Sequence, residues 1–224
     1  SARWRQAAIQ RHVAGDLPLL GMNAPAPLMT RFWQMLAHYH GQIWNAAEPA
    51  RSLGISESTV RRYLDYLTQT FMVRQLQPWH ENLAKRQVKS PKVYVRDTGL
   101  LHSLLGLPTQ RDVTAHPKVG ASWEGFIIEQ IICQLRLSPS ECYFWRTYQG
   151  AELDLLVIRG SQRLGFEIKH TSAPQLSPSM RTALSELNLD SLAMVHSGTE
   201  SYAVSGRIEA IAAAKLGDKL RKIR

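Results

Sequence analysis

Two short segments constrain this chain more than any other feature. In Glu152-Leu153-Asp154-Leu155-Leu156-Val157 and in Phe166-Glu167-Ile168-Lys169, charged and apolar residues alternate. Alternation with a period of two is the mark of a β-strand whose two faces meet different surroundings. On the first strand Glu152 and Asp154 share a face. On the second, Glu167 and Lys169 share one, and Phe166 and Ile168 the other. Gly160-Ser161 supplies a turn between them. A hairpin of this length brings Asp154 beside Glu167 and Lys169. Glu124 lies on the helix read just before, over residues 120–136, whose Phe126, Ile127, Ile131 and Leu135 form a stripe suited to packing on the sheet.

The chemistry of such a set is specific. Two adjacent carboxylates repel one another and favour a divalent cation between them. Hard oxygen ligands suit Mg²⁺ or Mn²⁺. Such an ion stabilises charge developing on a phosphate and acidifies bound water. A lysine two residues beyond a ligand is placed to orient that water or to meet negative charge. Asp154, Glu167 and Lys169 have the residue types that such chemistry uses, with Glu124 on the preceding helix. The ordinary alternative is a solvated strand of mixed charge.

Elsewhere the sequence reads as a series of helices followed by a ribbon. Residues 3–14 have helical spacing, closed by Asp16-Leu17-Pro18, and a second helix starts at Pro27 and stops at Gly41. A short helix runs from Asn45 to Leu53, Gly54-Ile55 makes a tight turn, and Ser56 caps a helix reaching Thr70. On that helix Val60, Tyr63, Leu64, Leu67 and Phe71 form the buried stripe, while Ser58, Arg61 and Arg62 point outward. Residues 72–76 and 92–96 read as two strands. Helix, tight turn, helix and two-strand ribbon is the layout of a winged helix-turn-helix. Outward Ser58, Arg61 and Arg62, with a wing carrying Lys85, Arg86, Lys89 and Lys92, are the candidate DNA contacts.

Residues 97–106 read as an apolar helix and 107–118 as a polar linker, which sets two domains, 1–106 and 107–224. In the second, strands are expected at 141–147, 152–158, 163–169 and 190–196, with a helix at 176–187. A last amphipathic helix carries Ile208, Ile211, Ala212 and Leu216. The fold class is α/β (α+β): a winged helix, then a mixed sheet flanked by helices.

The bulk properties agree with this organisation. The 224 residues are 44% hydrophobic and 20% charged, an ordinary globular balance with material for a sizeable core. A net charge of +9 favours a polyanionic partner, most often nucleic acid. Cys133 and Cys142 have no metal-ligand spacing. No apolar run approaches a membrane span and no signal peptide opens the chain, so a reducing cytoplasmic setting is expected. The chain opens without Met and directly into a helical pattern, as expected of a fragment. The eight histidines show no metal spacing, and most read as surface or loop residues. His170, next to Lys169, reads as a solvated strand end, with the rim of the site as the alternative.

The order Glu124, Asp154, Glu167-Ile168-Lys169 on helix, strand and strand resembles the PD-(D/E)xK nuclease superfamily, most of all its archaeal Holliday-junction-resolvase branch. The resemblance implies a restriction-endonuclease-like domain, metal at Asp154 and Glu167, Lys169 as the catalytic lysine and Glu124 as an auxiliary acid. The Pro of the motif is absent, and Leu153 and Glu152 precede Asp154. Further stretches, Ser90-Pro91-Lys92-Val93-Tyr94-Val95-Arg96-Asp97 and Gly120-x-x-Trp123-Glu124 among them, are similar to the C-terminal part of a prokaryotic AAA+-type ATPase family of poorly defined role. That resemblance implies an ATPase half as a partner in the full-length protein. No G-x-x-x-x-G-K-[ST] occurs, so no ATP site of the P-loop kind is expected here. Two readings stay open: a Mg²⁺- or Mn²⁺-dependent deoxyribonuclease module, or an inactive interaction module that recruits or controls the ATPase half. Homo-oligomerisation is open as well.

Overall fold

Apolar spacing along the first half of the chain produces helices that bury one stripe each. The computed structural model describes residues 2–80 and 89–223, which form two compact units. The divisions fall at Gln75/Leu76, Pro91/Lys92 and Gly125/Phe126. Residues 107–125 thus belong with the first unit.

The first unit begins with α1 (Ala2–Arg11), a π turn (His12–Asp16) and α2 (Leu17–Leu19). Asp16-Leu17-Pro18 does not close the helix as expected. Arg11, Asp16 and Leu17 keep helical dihedrals, and Pro18 sits in the first turn of α2, where its missing N–H is harmless. Next come α3 (Ala26–Tyr39), β1 (Gln42–Ile43), α4 (Ala47–Leu53) and α5 (Glu57–Gln69). The Ser56 side chain accepts a hydrogen bond from Thr59 N–H at 3.2 Å, the cap its position predicts. Val60, Tyr63, Leu64 and Leu67 of α5 join Met29, Phe32, Trp33 and Leu36 of α3 in one core. Then follow β2 (Val73–Pro78), β3 (Lys92–Val95), α6 (Thr98–Leu104) and α7 (Gln110–Ala115). β1 pairs antiparallel with β3. The expected linker at 107–118 therefore contains a helix. Thr109 and Asp112 cap it reciprocally, satisfying amides that a loop would leave to water. Helix α8 (Val119–Leu135) crosses from the first unit into the second.

The second unit holds β4 (Cys142–Arg146), β5 (Glu152–Arg159), β6 (Gln162–Lys169), α9 (Pro178–Glu186), β7 (Ser191–His196), β8 (Tyr202–Ser205), β9 (Ile208–Ala212) and α10 (Leu216–Ile223). Its strands lie in the order β4-β5-β6-β7-β9-β8. β4, β5 and β6 are mutually antiparallel, β6-β7-β9 run parallel, and β8 returns antiparallel. The hairpin turn is Gly160-Ser161, with Arg159 opposite Gln162, and Gly160 takes φ +59, a left-handed value that glycine adopts without strain. Met180 and Ala183 of α9, with Leu187 at its C-cap, pack with Leu156, Leu192, Met194 and Ile208 of the sheet.

The expected final helix is corrected here. Ile208–Ala212 is a strand beside β7, and the chain turns helical only from Leu216, after a short 3-10 turn. Short apolar runs carry no unambiguous period, and a strand buried on both faces loses alternation. His12 and His40 are also buried rather than superficial. Among the described residues, no helix is long and apolar enough to cross a membrane.

Candidate active site

The β5–β6 ladder decides where the charged residues go. Leu155 lies opposite Phe166 and Leu156 opposite Gly165, so the next opposed positions belong to Asp154 and Glu167. Opposed residues of an antiparallel pair share a face. Asp154 thus continues the row begun by Leu156, on the face that α9 covers, and the row passes from apolar to acidic where that core ends. Asp154 is 9% exposed and Glu167 5%.

Each carboxylate is held. Asp154 Oδ2 accepts the backbone N–H of Ile168 at 2.8 Å, which pins the side chain of one strand to the main chain of the next. Glu167 Oε1 lies 2.6 Å from Lys169 Nζ. Lys169 is two residues further on the same face, with its side chain 44% exposed, at the rim. The hairpin therefore brings Asp154, Glu167 and Lys169 together within the second unit. His170 is exposed at the strand end.

Two largely desolvated carboxylates side by side, one of them paired with the Lys169 ammonium, make a set of hard oxygen donors. A divalent cation fits that donor set. Among the described residues, no group of three or more His, Cys, Asp or Glu side chains is placed to hold a metal ion. Asp154 and Glu167 supply two carboxylates, a number that an ion keeping several of its waters, such as Mg²⁺, accepts.

Glu124 falls in the first unit and is engaged there. Its Oε1 accepts from the Tyr94 hydroxyl at 2.5 Å and pairs with Lys92 Nζ at 3.3 Å. Lys92, expected on an exposed wing, is instead buried: all four residues of β3 are buried, so its side chain is drawn inward to a carboxylate. It offers no surface to a phosphate backbone. Ser58, Arg61 and Arg62 are exposed on α5 as read, with Arg61 bound to Glu57 at 2.8 Å, and Lys89 is exposed too. Lys85 and Arg86 lie outside the described residues.

The sequence reading passed over a second group in the first unit. His40 is fully buried; its Nδ1 accepts Val95 N–H and its Nε2 lies 3.0 Å from the Ala121 carbonyl. An accepting Nδ1 puts the neutral ring's proton on Nε2. Burial drives its pKa down to about 4, so the ring joins β3 to the start of α8 as a neutral clamp. The only trace in the sequence is a histidine directly after an apolar helix.

Two parts of the chain are similar to domains of unknown function. Residues 1–111 match a domain of unknown function (DUF8612), and residues 119–216 match another (DUF4143). The uncharacterized proteins Rv2008c of Mycobacterium tuberculosis and Mb2031c of Mycobacterium bovis are each 50% identical over 216 residues, 96% of this chain and 48% of theirs. The chain therefore spans about half the length of the curated relatives it matches. No solved structure matches it significantly.

Proposed function

We propose that the second unit is a PD-(D/E)xK-type, divalent-metal-dependent nuclease module and that the first is a winged helix that binds DNA for it. The observation that carries this reading is the convergence of buried Asp154 and Glu167 at adjacent ladder positions with Lys169 at 2.6 Å from Glu167. Asp154 and Glu167 would hold Mg²⁺ or Mn²⁺, which when bound supplies a Lewis acid for the phosphate and acidifies water. Asp154 is kept aimed by the Ile168 amide. Lys169, at the exposed rim, orients the attacking water or meets charge on the phosphate. On the first unit, the α4–Gly54-Ile55–α5 turn and exposed Ser58, Arg61 and Arg62 support the winged-helix reading. An ATPase half is part of the same proposal, and relatives about twice as long as the chain leave room for one.

Incubation with linear, nicked and branched DNA plus Mn²⁺ tests it. Cleavage abolished by Asp154→Ala is the expected result, and equal cleavage by that variant sinks the assignment. Binding that weakens with Arg61/Arg62→Ala supports the winged-helix role; unchanged binding removes it.

One observation favours the other reading, an inactive module that docks on or controls the ATPase half. Glu124, the auxiliary acid of the resemblance, has its carboxylate engaged by Lys92 and Tyr94. Calorimetric titration with Mn²⁺ separates the two. Saturable binding lost in Glu167→Ala belongs to the nuclease; no binding belongs to the docking module.

A further inference from the structure

The rung of the sheet that holds Lys169 holds a second polar side chain. β6 and β7 run parallel, and Lys169 is paired with His196. Paired residues on parallel strands share a face, about 5 Å apart. Both strands also end at the same edge, and ligands of α/β sheets gather beyond carboxyl ends. His196 therefore stands next to Lys169, on the face and at the edge that carry Asp154 and Glu167.

The ring's hydrogen bonding sets its character. His196 is 1% exposed. Its Nδ1 accepts the Gly198 N–H at 3.1 Å, so the neutral ring carries its proton on Nε2. That Nε2 is buried and has no hydrogen-bond partner among the described residues. A buried donor left unmatched is destabilising, because it has given up water without a replacement. The backbone is shaped around the arrangement: a Cβ at position 198 would stand 2.5 Å from Ser172 O and 2.9 Å from His196 Nδ1, so only glycine lets this loop close on the ring. Two donors, an imidazole N–H and an ammonium, thus occupy one rung. Adjacent donors make a place for an oxyanion, and a desolvated one is bound without competition from water.

We propose that His196 is a substrate-contacting residue whose Nε2–H binds a non-bridging oxygen of a phosphodiester beside Lys169. This rests on the nuclease-type reading of the same edge. It adds a donor that Glu124, Asp154, Glu167 and Lys169 do not supply, and it names the ligand chemistry as a phosphodiester oxygen.

The test uses the full chain and a fluorescent phosphodiester oligonucleotide in EDTA, read by anisotropy, so that no cleavage is needed. His196→Phe is expected to weaken binding about tenfold, and His196→Gln, which keeps an N–H donor at similar reach, to stay within about threefold of wild type. Wild-type affinity in the Phe variant overturns the proposal, as does equal loss in both variants, which marks a packing role. Should His196→Phe fail to fold, the wild-type ring is followed by ¹⁵N NMR during titration with a thymidine dinucleotide. A saturable shift of the Nε2 signal supports contact, and an unmoved signal refutes it. The Asp154→Ala cleavage assay fails or succeeds separately. A His196 that contacts the oligonucleotide in a protein whose cleavage ignores Asp154 leaves an anion site without the nuclease. Asp154-dependent cleavage with an indifferent His196 leaves the nuclease without this contact.

Discussion

Replacing Glu124 with Ala asks whether this acid serves the fold or the chemistry. The Lys92 side chain is 5% exposed and that of Glu124 17%, with 3.3 Å between the charges. At an effective dielectric of about 20, that separation corresponds to a gross attraction of about 5 kcal/mol. Desolvation offsets much of it in the intact pair. Removing one member is different, because Lys92 keeps a buried charge that Glu124 no longer balances, at about 3–5 kcal/mol. The Tyr94 hydroxyl loses its 2.5 Å acceptor as well, about 1 kcal/mol more. Glu124→Ala should therefore lower unfolding stability by about 4–6 kcal/mol, seen as a drop in urea midpoint. The double variant Lys92→Met/Glu124→Leu, which removes both charges and keeps the volume, should recover all but about 1 kcal/mol. A single variant within about 0.5 kcal/mol of wild type would refute the reasoning, and so would equal loss in single and double variants. The double variant should also keep any Mn²⁺-dependent cleavage; losing it at near-native stability would return Glu124 to the chemistry.

Two further outcomes concern His40. With its folded pKa near 4 against an ordinary 6.5, the unfolded ring takes up a proton over a range where the folded ring does not. Stability is then fully present above about pH 6.5 and declines as pH falls toward 4, by about 3 kcal/mol in all. Urea midpoints at pH 7 and 4.5 measure it. His40→Gln should flatten the slope, and an unchanged slope in that variant contradicts the assignment. Gly125→Ala should cost about 1–3 kcal/mol, because the new Cβ would stand 2.5 Å from His40 Nε2. Gly120→Ala, with nothing within 4 Å, should be neutral or slightly stabilising; equal effects of the two would remove the close-approach argument.

The hairpin was legible because alternation and a glycine turn are local signals, and both survive in β5 and β6. The Ser56 cap was legible for the same reason. Helix α7 could have been read too, since Thr109-x-x-Asp112 is a reciprocal capping pattern; the prolines around it drew the segment toward a linker. β9 could not. Ile208, Ile211 and Ala212 fit a helical stripe as well as a buried strand, and only the β7 ladder decides between them.

What the sequence by itself determined is therefore the set of residues that local periodicity places on one face: Asp154 on one strand, Glu167 and Lys169 on the next. Tertiary structure decided which charges face inward and which neighbours they meet. It drew Lys92 off the expected wing and into a pair with Glu124, fixed the His40 clamp, and set His196 on the Lys169 rung. The physical reason is range. Turns, caps and alternation act over a few residues. Burial of a charge, a buried clamp and pairing across a sheet depend on partners 27 to 81 positions away in these cases, and no local pattern carries that information.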